Sequence, residues 1–300
     1  MLGFIGYGDA ARAIAKGLHE TVGVKEMNAW SVVLEGSPER DENGVRVYGS
    51  LKELIENSDL LFALVPGAAA VDVAEKSAGF LKPGQLYVDL TTSSPRDMKK
   101  VEKIIKATGA GFADGAMMDT VPKLLHRVPV TLCGPDVKEA EEKMNALGML
   151  IDPLGEETGK ADAVKLLRSM YTKAHLACVF EMLEAAEHFG VTDYIMEGLA
   201  KTMDSETFDQ GMNKRCAGGV IHAERRSHEL ACAAQMLEEE GFPALMSRAG
   251  SEKLKEIGEL DIRDHLTHGR PATWQEALTC LTERREELRG EKENSPSRLQ

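Results

Sequence analysis

Three things are scarce in this sequence: paired cysteines, long apolar runs and basic residues to balance its acids. The five cysteines, Cys133, Cys178, Cys216, Cys232 and Cys280, are scattered, odd in number and never spaced C-x-x-C. That pattern excludes a zinc site built on clustered thiolates and fits buried thiols in a reducing compartment. His265 and His268 lie close in sequence, but with no further clustered ligand they read as surface residues, and no metal is expected. No run reaches the ~18 apolar residues of a membrane span. The chain opens on "MLGFIGYG", a strand-like stretch with neither a basic n-region nor a cleavage site, so a cytoplasmic location is expected. Lys and Arg total 36 against 49 Asp and Glu, a formal charge of −13. Such a balance excludes nucleic acid and anionic membrane as partners, because phosphate neutralisation needs a basic surface. An anionic substrate would need a locally basic pocket.

What is present is ordinary globular material: 300 residues, 43% apolar and 28% charged, enough for one large or two medium domains. The first half alternates strands and helices. "LGFIGY", "EMNAWSVVL", "LLFALVP", "QLYVDLTT", "GAGFADGAM" and "VPVTLCG" read as strands, with a last one near Met149–Asp152. Helical patterns fall at Ala10–Thr21, Ser50–Asn57, Ala68–Ala78, Pro95–Thr108 and Val137–Leu147. Alternation at this spacing predicts βαβ units and an N-terminal Rossmann-type doubly wound parallel sheet. After Gly159 the strand-like runs stop, and amphipathic stretches follow at 160–189, 193–203, 218–240, 242–257 and 271–289. The expected organisation is α/β at 1–157, all-α at 158–289 and a disordered tail at 290–300.

The chemistry starts at Gly6-Tyr7-Gly8-Asp9-Ala10-Ala11, a G-x-G-x-x-A variant between an apolar strand and an amphipathic helix. Gly6 permits the tight turn, Gly8 lets the backbone approach a pyrophosphate, and Ala11 lets helix and strand pack closely. The helix N-terminus then holds the anion. Tyr7, Asp9 and Ala10 complete the predicted cofactor loop. At the end of the second strand an acid would select NAD by binding the ribose 2′-hydroxyl. Ser31 stands at that position and favours NADP; Arg40 lies further along as a possible added charge. Glu35 is the counter-argument for NAD if the strand runs on to Leu34.

Five stretches, in order, resemble the β-hydroxyacid dehydrogenase superfamily in its 6-phosphogluconate dehydrogenase-like arrangement. They are the glycine loop, "LVPGAAAVDV", "DLTTSSP", "DGAMMDTVPKLLHRVPVTLCGP" and "GEETGKADAVKLLRS", and the resemblance spans about residues 2–255. It implies that Val65, Pro66 and Gly67 pass beneath the cofactor and that Thr92 lies by the nicotinamide, while Asp89 and Thr91 read as strand-end caps. Lys165 matches the family's catalytic lysine. A lysine desolvated by an apolar site has its pKa drawn below ~10.4, and can take the substrate hydroxyl proton and return it. Read without the resemblance, it is a helix lysine with its ammonium in water.

The departures concern the substrate. Ser169 stands where the family usually has asparagine, and Thr172 continues that helix face. Met117, Met118 and Asp119 replace the family's Ser-Gly-Gly run, which puts recognition of a simple 3-hydroxyisobutyrate in doubt and lets Asp119 favour a polyol or a cationic group. His228 and Glu229 fall on the family's Lys-Asp pair, and Arg225 or Arg226 is a candidate carboxylate binder. The implied activity is hydride transfer between NADP, or alternatively NAD, and a small hydroxy acid or sugar acid, by a homodimer. Two alternatives stand beside it: imine reduction, whose enzymes typically lose the lysine, and a non-catalytic dinucleotide-binding protein.

Overall fold

The computed structural model describes residues 1–37 and 39–294. Two compact units divide the chain, Met1–Met170 and Tyr171–Gln300.

The first unit is built on one eight-stranded sheet. Its strands are β1 (Leu2–Ile5), β2 (Met27–Trp30), β3 (Val45–Val47), β4 (Leu60–Ala63), β5 (Leu86–Asp89), β6 (Gly111–Met117), β7 (Pro129–Cys133) and β8 (Leu150–Pro153). They lie in the order β3-β2-β1-β4-β5-β6-β7-β8. The helices of this unit are α1 (Asp9–Gly17), α2 (Leu51–Glu56), α3 (Ala70–Ala78), α4 (Pro95–Lys106), α5 (Val121–Leu124) and α6 (Val137–Ala146). Every residue of β1, β4 and β5 is buried, as expected of parallel strands covered on both faces. Successive side chains feed opposite cores. Phe4, Phe62, Leu86 and Val88 meet Ile14 of α1 and Met144 of α6. Ile5, Leu61, Ala63 and Tyr87 meet Leu54 of α2, Val73 of α3 and Met98 of α4. Helices on both faces make the sheet doubly wound.

The structure departs from the expected strands in three places. β2 stops at Trp30, because the Leu34 amide turns back to the Ser31 carbonyl at 3.3 Å and leaves Val32 and Val33 each 82% exposed. β3 escapes the pattern because three residues are too few to show an alternation. β7 runs antiparallel to β6: residues 118–128 alone separate them, too short a path for a parallel crossover.

After β8 the described residues are helical only. Helix α7 (Lys160–His188) is followed by α8 (Thr192–Met203), α9 (Phe208–Ile221), α10 (Ala223–Glu239), α11 (Leu245–Gly258) and α12 (Trp274–Asn294). The stretch expected as one helix from residue 218 is broken at His222, where α10 starts, and α9 opens earlier with a Thr207–Gln210 capping box. α10 and α11 pack closely, with Ser227 and Ser251 donating to each other's carbonyls at 2.9 Å. Glu181 of α7 accepts the Met246 and Ser247 amides, both at 2.8 Å, and so caps the start of α11. α12 runs to Asn294, past the point where the tail was expected to begin; residues 295–300 of that tail lie outside the described residues.

Candidate active site

The site grows from the carboxyl ends of the central strands. Order reverses between β1 and β4, the point at which open α/β sheets bind ligands. Gly6 leaves β1 with φ +91°, and a Cβ on it would lie 2.3 Å from the Leu64 carbonyl oxygen, so only glycine fits. Gly8 is the N-cap of α1 with φ −88° and no side-chain cap, and a Cβ there would meet nothing within 4 Å. The first amides of α1, from Asp9 and Ala10, therefore open onto free space. Ala11 is buried against the sheet. This cradle, unfilled by side chains and positive by helix dipole, fits a pyrophosphate.

The Tyr7 side chain turns away from the loop's open face. Its ring is buried and its hydroxyl donates to Asp41 Oδ2 at 2.7 Å, while the Arg12 guanidinium sits 4.6 Å above the ring. Burial, then Asp41, pushes the phenol well up. Only the backbone of Tyr7 therefore belongs to the cofactor loop; the side chain fastens that loop to the segment between β2 and β3. Asp9 is exposed and Ala10 half-buried.

The loops after β4 and β5 stack on this one. The Val65 amide donates to the Thr91 hydroxyl at 3.3 Å, and the Ser93 hydroxyl to the Gly67 carbonyl at 3.3 Å. A Cβ on Gly67 would come within 2.3 Å of the Thr92 carbonyl oxygen. Pro66 and Thr92 are exposed at this rim and Val65 is half-buried. Ser31 directly follows the last residue of β2, and the carbonyl of that residue, Trp30, accepts the Gly6 amide at 2.8 Å. Glu35 lies beyond the strand end, so it does not take the acidic position. Arg40 is at the other end of β2, donating to the Met27 carbonyl at 2.7 Å and pairing with Glu26.

The helix bearing Lys165 is held against the loop after β5. Gly159, φ +95°, precedes it, and a Cβ there would meet Pro95 at 2.9 Å, again requiring glycine. The Gly159 amide donates to Asp114 Oδ2 at 2.8 Å, and the Cys133 thiol donates to the same oxygen at 3.3 Å. Both oxygens of Asp162 lie 3.3 Å from the Ser93 amide. Asp89, Asp114 and Asp162 are each fully buried. Asp89 Oδ1 accepts the Thr91 amide at 2.8 Å, the strand-end cap expected of it. Among the described residues, Asp89 Oδ2, Asp114 Oδ1 and the Thr158 hydroxyl have no hydrogen-bond partner. Burial pushes Asp89 up to about 7, and burial together with Asp114 pushes Asp162 up to about 8. Asp114 is also raised by burial, and burial beside Asp114 takes the Cys133 thiol up to about 12. Lys165, half-buried, follows Asp162 by one helical turn, and Ser169, half-buried, follows by another.

Asp162 has no place in the sequence-based site. Its signal was an acid in a helical turn otherwise made of Ala161, Ala163 and Val164.

Met118 packs on the small cluster of Ala116, Cys133 and Ala161, whereas Met117 packs into the core of the opposite sheet face. Only Met118 is thus brought to the start of α7. Asp119 is exposed and accepts the Thr120 amide at 2.6 Å. In the second unit, Thr172 is exposed on α7, His228 is exposed on α10, and Arg225 pairs with Glu229. Arg225 also lines a pocket of about 200 Å³ with His222 and Arg263. Among the described residues, no group of three or more His, Cys, Asp or Glu is placed to hold a metal ion, and no helix is long and apolar enough to cross a membrane.

Sheet, switch point and cradle together define an NAD(P)-binding protein of the dehydrogenase type. The NAD binding domain of 6-phosphogluconate dehydrogenase matches residues 1–118, and a domain of unknown function, DUF1932, matches residues 186–257. An uncharacterized 28.5 kDa protein of Methanothermus fervidus is 26% identical over 263 residues, 86% of this chain and 99% of that protein. The mitochondrial 3-hydroxyisobutyrate dehydrogenase of Drosophila melanogaster is 26% identical over 201 residues, 63% of this chain and 59% of that enzyme. An imine reductase from Myxococcus stipitatus, solved with NADP+, shares the fold at a TM-score of 0.71 and 17% identity, covering 93% of this chain and 99% of that one. These matches support the resemblance to the β-hydroxyacid dehydrogenase superfamily.

Proposed function

We propose that this protein is an NADP-dependent oxidoreductase that interconverts a small hydroxy acid or sugar acid and its keto form. The observation that carries this reading is the placement of Lys165, half-buried on a helix whose first turn is tied to the loop bearing Thr92. A bound nicotinamide dinucleotide supplies hydride transfer. The Gly8, Asp9 and Ala10 amides would hold its pyrophosphate while Gly6 supplies the turn, Val65 and Pro66 would floor the site, and Thr92 would border it. Ser31, a neutral hydroxyl where an acid would repel a 2′-phosphate, supports NADP over NAD. Lys165 takes the proton from the substrate hydroxyl in oxidation and returns it in reduction. Ser169 offers that hydroxyl a hydrogen bond, and Met118 walls the substrate. The helical half is proposed to begin at 158; on the resemblance alone, Thr172 and Arg225 are kept as candidate substrate groups and His228 as a candidate proton relay. Free, unpaired cysteines support a cytoplasmic setting.

A panel of four- to six-carbon hydroxy and sugar acids, assayed by absorbance with NADP and NAD, is expected to give turnover with NADP first. Turnover of cyclic imines with none on the acids would replace this reading by C=N reduction. Dinucleotide binding with no turnover on either panel would leave a binding protein.

We further propose a homodimer. Leu176 and Phe180 on α7 and Tyr194, Met196 and Met203 on α8 are large apolar side chains left exposed in one chain, more than a lone soluble helix pair usually shows to water. A second copy covering them predicts a light-scattering mass of twice 32.7 kDa. A mass of one chain at micromolar concentration would refute it.

A further inference from the structure

Three acids, Asp89 at the end of β5, Asp114 in β6 and Asp162 in the first turn of α7, are buried together beneath the loop after β5. Two of their oxygens have no partner among the described residues. Burying a bare carboxylate is far too unfavourable to stand unless something protonates or pairs it. Asp89 and Asp114 are committed elsewhere, to the Thr91 amide and to the Gly159 amide with the Cys133 thiol. Asp162 differs from both. Its oxygens reach across to the Ser93 amide, and Ser93 in turn holds Gly67. Its position three residues before Lys165 puts both on one helix face.

We propose that Asp162 is a positioning residue for Lys165: its carboxyl ties the loop after β5 to the first turn of α7, and its charge governs how readily the Lys165 amine gives up its proton. The inference rests on the reading of Lys165 as the acid/base of the site. The groups that face Asp162 are Asp89 from β5, Asp114 from β6, Lys165 from its own helix and the Ser93 amide; the Cys133 thiol of β7 stands behind Asp114. The two acids oppose a second negative charge, and the Lys165 ammonium favours it. Burial and Asp114 hold the Asp162 proton up to about 8, so the carboxyl ionises just above neutrality. As the carboxyl ionises, its negative charge holds the ammonium form.

Two substitutions separate the two parts. Asp162→Asn keeps an oxygen for the Ser93 amide and removes the charge, whereas Asp162→Ala removes both. With Asp162→Asn, the limb of the kcat/KM–pH profile due to the amine is expected to move to lower pH by about one unit. Dinucleotide affinity of the free protein, read by fluorescence titration, should stay near the wild-type value in Asp162→Asn. In Asp162→Ala it should weaken by about tenfold or more as the Thr92 loop loosens. The reciprocal measurement needs no turnover and no change at position 162. In the protein without dinucleotide, the ¹³C-carboxyl titration of a buried Asp should move upward by about half a unit or more in Lys165→Met. An unmoved pH limb in Asp162→Asn, wild-type dinucleotide affinity in Asp162→Ala, or an unmoved carboxyl titration in Lys165→Met overturns the proposal. Its failure is distinguishable from that of the underlying reading, which falls if Lys165→Ala leaves turnover intact.

Discussion

Replacing Lys165 by alanine is expected to lower turnover by about 10²–10⁴-fold, the usual contribution of a positioned general acid or base. Dinucleotide affinity should change little, because the backbone proposed to cradle the pyrophosphate is that of the loop after β1 and the start of α1, not α7. Folding should also hold: the side chain is half-buried, and what fixes the start of α7 is Gly159 against Pro95 and the Asp114 and Asp162 contacts. Arginine at 165 separates charge from acidity, since its guanidinium stays protonated and cannot take a proton. It should be as inactive as alanine in oxidation. Steady-state rates and dinucleotide titrations on both variants check this, and an alanine variant within about threefold of wild-type turnover would remove the amine from the chemistry.

The second large effect divides two neighbouring glycines. Gly8→Ala adds a methyl where nothing lies within 4 Å and where φ is −88°, an ordinary value for any residue. The protein should melt at the wild-type temperature, yet the added carbon stands in the space through which backbone amides meet an anion. Affinity for dinucleotide is expected to fall by about 30-fold, equivalent to ~2 kcal/mol. Gly6→Ala is different in kind. Its φ of +91° and a Cβ placed 2.3 Å from the Leu64 carbonyl make the fold itself yield. That variant should lose several degrees of Tm and bind dinucleotide poorly for structural reasons. Melting curves with and without dinucleotide distinguish the two. If Gly8→Ala binds as well as wild type, the free space above α1 is not where the anion goes.

The turns of the glycine loop were legible because their demands are backbone demands, and glycines announce them. Gly6, Gly67 and Gly159 each sit where a Cβ would strike a neighbour, with little choice of residue, whereas Gly8 faces open space. Side-chain direction was harder to read. Nothing in "GYG" tells that the Tyr7 ring turns inward to Asp41, a residue brought close only by the β2–β3 segment. Val32 and Val33 look like strand, but the chain turns at Ser31 and leaves them in water. Asp162 was hidden for a related reason. Its partner Ser93 and its neighbours Asp89 and Asp114 come from loops and strands far apart in sequence, so nothing near Lys165 in the chain points to them. The Thr207–Gln210 capping box marks the start of α9, a helix start that the stretches expected at 193–203 and 218–240 leave out.

The two rims of the sheet bear on how the protein behaves in concentrated solution. An open sheet offers each outer strand as a template for a passing chain. Here one rim is β3, three residues long and answered by an antiparallel bridge between Arg40 and Arg46. The opposite rim is β8, which ends Asp152-Pro153, an exposed charge followed by a residue with no amide to lend. Neither margin invites a ninth strand, so self-association is steered away from fibre-like stacking and toward helix faces.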